Sequence, residues 1–130
     1  MYFLDTCIMI GYFENDPKYV NIVESGKPFF VTKFQLMELY YISLREHNEE
    51  QAEKYYEVFA HYEVVVPEKT LKNAMKKRLE LYGKKVTGKA FNVSYVDAIG
   101  YQYALENNLK FVTCDPAFEK LSGVEYLPEK

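Results

Sequence analysis

No stretch of this chain approaches the roughly 18–20 consecutive apolar residues that a membrane-spanning helix requires. The apolar start is interrupted at Asp5, where a signal peptide would continue its hydrophobic run. Only two histidines occur, both in charged segments, which argues against a histidine-based catalytic or zinc site. The phosphate-binding patterns GxxxxGK(S/T) and GxGxxG are also absent, so nucleotide cofactors gain no support. We therefore expect a cytoplasmic protein without a membrane segment.

The chain has only two cysteines, Cys7 and Cys114, and they form no CxxC pair. Thiols of cytoplasmic proteins are kept reduced. We therefore expect both cysteines to be free and to pack as small hydrophobic side chains. Because they lie close in sequence to Asp5 and Asp115, a redox or soft-metal influence on those acids stays open.

The 130 residues, 48% of them hydrophobic and 27% charged, are typical of one globular domain. We therefore treat residues 1–130 as a single domain. The predicted strands cover residues 1–5, 28–31, 63–66, 109–113 and 124–127. The predicted helices cover residues 6–13, 16–26, 32–46, 49–61, 68–82 and 94–107, and a short helix follows Asp115. This alternation predicts an α/β fold with a mostly parallel sheet covered by helices on both faces.

Ligands of such sheets bind beyond the carboxyl ends of the strands, and four acids occupy suitable positions. Asp5 ends the first predicted strand, and Asp115 follows the fourth. Asp97 is in the first turn of the helix before the fourth strand, and Glu38 is in the second turn of the helix after the second strand. We expect these four carboxylates to face one crevice.

Three of the acids also have a structural interpretation as helix caps. Asp5 can cap the helix that follows it, and Asp97 stands three residues after Ser94 in a capping-box pattern. Asp115 precedes Pro116, a favoured start for a helix. Each of these residues taken alone therefore leaves the choice between cap and functional site open.

Glu38 is harder to explain as a structural residue. Its helical neighbours four residues before and three and four residues after are Phe34, Tyr41 and Ile42, and no Lys or Arg stands at these spacings. A carboxylate on so apolar a face carries a desolvation cost unless it reaches solvent at the helix edge or meets a cation. Four carboxylates in one crevice cannot all ionise cheaply without positive charge. Mg²⁺ or Mn²⁺ would supply that charge, because both ions favour oxygen ligands.

An ordered set of sequence segments carries a family resemblance over nearly the whole chain. The segments are YFLDT at residues 2–6, the isolated acid Glu38, DAIGYQYA at residues 97–104 and LKFVTCDPAF at residues 109–118. In this order and spacing the sequence resembles the PIN domain family. The resemblance implies a three-layer α/β/α fold with a five-stranded parallel sheet of order 3-2-1-4-5. It also implies that Asp5, Glu38, Asp97 and Asp115 bind the metal and that the hydroxyl residues Thr6 and Thr113 support them.

The resemblance further implies an activity, the cleavage of single-stranded RNA by a water that Mg²⁺ or Mn²⁺ activates. The compact single-domain form is similar to VapC-type toxins, which pair with a small antitoxin protein and usually form homodimers. Two other interpretations stay open. The chain could be a non-catalytic RNA- or protein-binding module whose acids serve as caps, or a structure-specific DNA nuclease with the same metal chemistry.

The net charge of −3 conceals an uneven distribution of charge. Residues 69–89 hold eight basic side chains and one acid, Glu80, so this segment is strongly positive and the remainder strongly negative. The segment is interpreted either as a solvated helix face or as a surface that grips a phosphate backbone. In the second interpretation Lys84, Lys85 and Lys89 contact the substrate.

Aromatic residues are abundant, with thirteen Tyr and nine Phe. The helix predicted from residue 32 carries Phe34, Met37, Tyr41 and Leu44 at helical spacing. The next helix carries further aromatic residues, among them Tyr55 and Phe59. We expect most aromatic residues to lie in the core or in a dimer interface. The excess of apolar faces on these two consecutive helices indicates a homodimer surface or a groove for an antitoxin.

Overall fold

The computed structural model describes residues 1–82 and 93–129, and the backbone of residues 85–86 and 89–90. Five parallel strands form the central sheet: β1 (Tyr2–Leu4), β2 (Phe29–Thr32), β3 (Glu63–Val64), β6 (Lys110–Thr113) and β7 (Val124–Tyr126). Their order is β3-β2-β1-β6-β7, which is the order 3-2-1-4-5 when only these strands are counted. The predicted fold class and strand order are therefore confirmed.

A further pair of short strands stands apart from this sheet. β4 (Lys85–Val86) pairs antiparallel with β5 (Lys89–Ala90). Gly83 and Gly88 in the sequence bracket a predicted loop, which falls partly on these strands and partly outside the described residues.

Within the described residues, six α-helices cover the two faces of the sheet: α1 (Thr6–Phe13), α2 (Pro17–Val23), α3 (Lys33–Glu46), α4 (Glu49–Ala60), α5 (Glu68–Leu81) and α6 (Tyr95–Glu106). A short 3₁₀ helix, Pro116–Phe118, follows β6. Helix α2 ends earlier than its sequence predicts, and the chain then turns through Gly26 with φ of +85°, a value that glycine adopts without strain. None of the helices in the described part of the chain is long and apolar enough to cross a bilayer.

Alternation along the strands divides the core into two clusters. Phe3 and Phe111 point to one face and pack with helices α5 and α6, whereas Leu4 and Val112 point to the other and pack with residues of α1, α3 and α4. All four side chains are fully buried. This is the three-layer arrangement expected for a parallel sheet.

Helix α3 turns an apolar stripe toward solvent. Gln35, Leu36, Leu39 and Ser43 form its buried face. On the other side Phe34, Met37, Tyr41 and Leu44 are 38%, 48%, 62% and 40% exposed. These four side chains therefore lie outside the core of the monomer. We call these four residues the α3 stripe.

Candidate metal centre

Asp5 lies where β1 ends and α1 begins, and its surroundings fix both carboxylate oxygens. Its backbone N–H donates to the carbonyl of Val112 on β6 over 2.9 Å. Oδ1 accepts a hydrogen bond from the backbone N–H of Thr6 at 2.8 Å, and Oδ2 accepts one from the hydroxyl of Thr113 at 2.7 Å. The residue is only 4% exposed, so its carboxylate is held in one orientation inside the crevice.

Asp115 is joined to Asp5 through the Thr113 side chain. The N–H of Asp115 donates to Thr113 Oγ1 at 3.1 Å, while the same hydroxyl donates to Asp5. Asp115 caps the 3₁₀ helix, since its Oδ1 accepts from the N–H of Ala117 at 2.9 Å. Thr113 is fully buried and therefore fixes the relative position of two of the predicted acids.

The other two acids come from the first turns of two helices. Asp97 is the third residue of α6, and its N–H donates to Ser94 Oγ at 3.1 Å. Glu38 lies in the second turn of α3, with its side chain half-buried. Neither of them is the N-cap residue of its helix, because that position is held by Ser94 in α6 and by Thr32 in α3.

Three of the acids converge on one point. Carboxylate oxygens of Asp5, Glu38 and Asp97 all lie within 4.8 Å of one another. Asp115 lines the same pocket but stands outside this closest group. The prediction that all four acids face one crevice agrees with this geometry, and the structure separates an inner set of three from a fourth at the edge.

Crowding of the acids changes their proton affinity. Burial raises the pKa of Asp5 to about 8, with a further contribution from the charge of Asp97, although hydrogen bonds from Thr113 and Thr6 oppose the shift. Burial also raises the pKa of Asp97 to about 6, assisted by the charge of Glu38. Ionisation of Asp5 or Asp97 therefore costs free energy, and a bound cation would lower that cost.

The chemistry of the pocket fits a hard divalent cation. Its closest group offers carboxylate oxygens only, the ligand type that Mg²⁺ and Mn²⁺ prefer. Thr6 Oγ1 is buried in the wall of the same pocket and has no hydrogen-bond partner among the described residues.

The two cysteines lie on the rim of this pocket, and the prediction that they are free is wrong. The structure bonds Cys7 to Cys114 as a disulfide across 107 residues of sequence. The cause is the pairing of β1 with β6, which brings together the two chain segments that leave these strands. The Cα atoms stand 6.3 Å apart, within the normal range for a disulfide. The N–H of Cys114 also donates to Cys7 Sγ at 3.1 Å.

The predicted substrate lysines are not placed by the structure. Lys84 lies outside the described residues, and only the backbone of Lys85 and Lys89 is described, in β4 and β5. Lys72 and Lys77 of helix α5 form ion pairs within that helix, with Glu68 and Glu80.

Sequence reasoning missed a contact between the two helices that carry Glu38 and Asp97. The T-x-x-Q pattern at residues 32–35 predicts a capping box, and Thr32 and Gln35 form it at the start of α3. The Gln35 amide also donates to the carbonyl of Val96 at the start of α6. The partner stands 61 residues away, so no local sequence signal could reveal it.

Several solved structures share this fold. A toxin–antitoxin complex from Klebsiella pneumoniae superposes with a TM-score of 0.73 at 18% identity and covers 96% of each chain. VapBC2 from Rickettsia felis, bound to a promoter DNA fragment, gives 0.75 at 20% identity over 96% of this chain and 97% of that one. VapC20 from Mycobacterium tuberculosis, a toxin that cleaves the sarcin-ricin loop, gives 0.67 at 14% identity over 85% of each chain.

The sequence itself identifies the family. No curated protein matches the chain at a significant level. The model of the PIN domain family matches residues 2–124. Because that match spans nearly the whole sequence and the sheet has the expected strand order, this chain belongs to the PIN domain family.

Proposed function

We propose that this protein is a divalent-metal-dependent endoribonuclease that cleaves single-stranded RNA. The observation that carries the proposal is the convergence of Asp5, Glu38 and Asp97, whose oxygens lie within 4.8 Å of one another. None of the described residues that line this pocket is basic, so the described part of the chain provides no counter-charge within the pocket. An exogenous cation is the simplest way to hold three carboxylates so close at neutral pH.

In this proposal Asp5, Glu38, Asp97 and Asp115 hold Mg²⁺ or Mn²⁺, with Asp115 at the outer edge. A divalent cation supplies a water of lowered pKa as nucleophile and offsets the charge that develops on the phosphate. Thr113 keeps Asp5 and Asp115 in a fixed relation through its two hydrogen bonds. Thr6 lines the same pocket, and its buried hydroxyl has no hydrogen-bond partner among the described residues.

The basic segment is proposed to hold the substrate. Lys84, Lys85 and Lys89 belong to the strongly positive residues 69–89. A phosphate backbone would be repelled by the acids unless positive charge stood near the crevice. In this proposal the acidic pocket binds the cation and the basic segment binds the RNA.

We also propose a small antitoxin protein as partner and a homodimer as the working form. The similar structures from Klebsiella pneumoniae and Rickettsia felis are toxin–antitoxin complexes. The exposed α3 stripe supports protein contacts, since soluble monomers rarely expose contiguous apolar patches. In this proposal residues 1–130 act as a single nuclease domain in the cytoplasm, where RNA is available and where the Cys7–Cys114 bond is exposed to reduction.

Cleavage of a labelled single-stranded RNA tests the proposal. Mg²⁺ or Mn²⁺ should support cleavage by the wild-type protein, and EDTA should abolish it. Asp5→Asn should remove activity, whereas Asp16→Asn should not, because Asp16 is an N-cap aspartate outside the crevice. Cleavage that survives both EDTA and Asp5→Asn would refute the proposal, and preferential cleavage of branched DNA would reassign the substrate.

A second candidate function is a non-catalytic RNA- or protein-binding module. It is favoured by the observation that Asp5 and Asp115 do cap helical segments through Oδ1. Capping does not account for Glu38, which is no cap and still lies in the acidic cluster. Absence of Mn²⁺ binding in a calorimetric titration of the wild-type protein would favour this second function.

A further inference from the structure

Gln35 makes a polar link between the two helices that supply Glu38 and Asp97. The side chain is fully buried. Its Oε1 accepts hydrogen bonds from the backbone N–H and the hydroxyl of Thr32, and its Nε2 donates to the carbonyl of Val96 over 3.0 Å. One amide group thus ties the first turn of α3 to the first turn of α6.

The positions of these partners relate the amide directly to the acids. Glu38 follows Gln35 by three residues, which places it one helical turn further along α3. Asp97 is the residue directly after Val96. A shift of α3 against α6 would therefore change the separation of the two carboxylates, and the hydrogen bond to Val96 restrains that shift.

Such a restraint is needed because the two carboxylates repel each other. One carboxylate oxygen of Glu38 and one of Asp97 lie within 4.8 Å of each other. The negative charge of Glu38 also disfavours ionisation of Asp97. The hydrogen bond to Val96 resists the repulsion, because breaking it would leave the Nε2 group of the fully buried Gln35 side chain without this acceptor.

Gly100 supplies the room that this contact requires. A Cβ atom at Gly100 would lie 2.7 Å from Gln35 Nε2 and 2.8 Å from a ring carbon of Phe3. Both distances are too short for any side chain larger than hydrogen. The close approach of the amide to α6 thus depends on a glycine one helical turn beyond Val96.

We propose that Gln35 is a positioning residue that holds Glu38 of α3 beside Asp97 of α6, so that both carboxylates bind one divalent cation. The inference rests on the proposed metal site and adds a residue that does not itself bind the metal. In this proposal the geometry of the pocket depends on the buried Gln35 amide as well as on the acids and Thr113.

Calorimetric titration of the full-length, metal-free protein with MnCl₂ tests this role. Gln35→Met has similar length and cannot donate to Val96, and it should raise the Kd for Mn²⁺ at least tenfold. Ser43→Ala is the matched control, because Ser43 is a buried residue of the same helix whose hydroxyl donates to the Leu39 carbonyl at 2.8 Å. Its Kd should stay within twofold of the wild-type value.

A double variant separates positioning from a general structural effect. In the Glu38→Gln background α3 provides no carboxylate to the pocket, so adding Gln35→Met should change the Kd by less than twofold. If Gln35→Met fails to fold, Gln35→Asn keeps an amide that is too short to reach Val96 and should show the same tenfold loss.

The outcomes distinguish this inference from the proposed function. A folded Gln35→Met protein with the wild-type Kd overturns the inference while the metal site stands. An equal tenfold loss in the Glu38→Gln background also overturns it, because Gln35 would then act without Glu38. A wild-type protein that binds no Mn²⁺ overturns the proposed metal site and the inference with it.

Discussion

Replacing Asp5 by Asn should stabilise the metal-free protein at neutral pH. Burial and the neighbouring acids raise the pKa of Asp5 from its ordinary 3.8 to about 8. Between these values the folded state binds a proton that the unfolded state has released, so stability falls as pH rises from about 4 to about 8. Asn carries no charge, and the variant should not share this loss.

The size of the effect follows from the interval between 3.8 and neutral pH. About three pH units separate the ordinary pKa from pH 7, and each unit corresponds to about 1.4 kcal/mol. The Asn variant should therefore be more stable than the wild type by up to about 4 kcal/mol at pH 7. At pH 4 the two should differ little, because Asn and Asp are similar as N-cap residues.

Urea unfolding in EDTA at several pH values measures this difference. Asp16→Asn, the matched N-cap variant, should show no comparable gain at pH 7. MnCl₂ should then stabilise the wild-type protein by about 2.7 kcal/mol at one hundred times its Kd, and should not stabilise Asp5→Asn. If Asp5→Asn is less stable than the wild type by the same amount at pH 4 and pH 7, Asp5 is a structural cap and the reasoning fails.

Three further predictions concern other parts of the chain. Reduction of the Cys7–Cys114 bond should lower the free energy of unfolding by about 4–5 kcal/mol, the value for loops of roughly one hundred residues, and Cys7→Ser should make urea unfolding insensitive to reductant. Lys84→Ala with Lys85→Ala should flatten the salt dependence of RNA binding, and an unchanged slope would assign these lysines to a solvated face. Leu44→Glu should convert a homodimer to a monomer in light scattering without changing Mn²⁺ affinity, and an unchanged mass would exclude the α3 stripe as the interface.

Local patterns sufficed for the main sheet and its helices, because the strands are short, mostly apolar runs and the described helices other than α5 begin at a residue whose side chain caps them. They did not determine which side of α3 faces the core. The buried side includes the polar residues Gln35 and Ser43, while the exposed side carries Phe34 and Tyr41. Hydrophobic periodicity alone therefore points to the outer side, and only the packing against the sheet reverses that choice.

The acidic residues of the candidate site could be predicted from their individual positions in the predicted strands and helices. The acids at the carboxyl ends of strands and in the first turns of helices could be found, because the parallel sheet gathers those positions at one edge. The Cys7–Cys114 bond and the Gln35–Val96 contact join residues 107 and 61 positions apart. Neither leaves a local signal, since each depends on which elements become neighbours after folding.

The groups that hold the acids are themselves neutral. Asp5 is fixed by a backbone N–H and the Thr113 hydroxyl, and the helices of Glu38 and Asp97 are joined by the Gln35 amide. Such contacts orient the carboxylates without cancelling their negative charge. Ionisation therefore keeps its free-energy cost until a proton or a cation binds. Proton and cation compete for the same oxygens, and metal affinity must therefore rise with pH as Asp97 and then Asp5 lose their protons. Metal binding should therefore increase the free energy of unfolding most at the pH values where the metal-free protein is least stable.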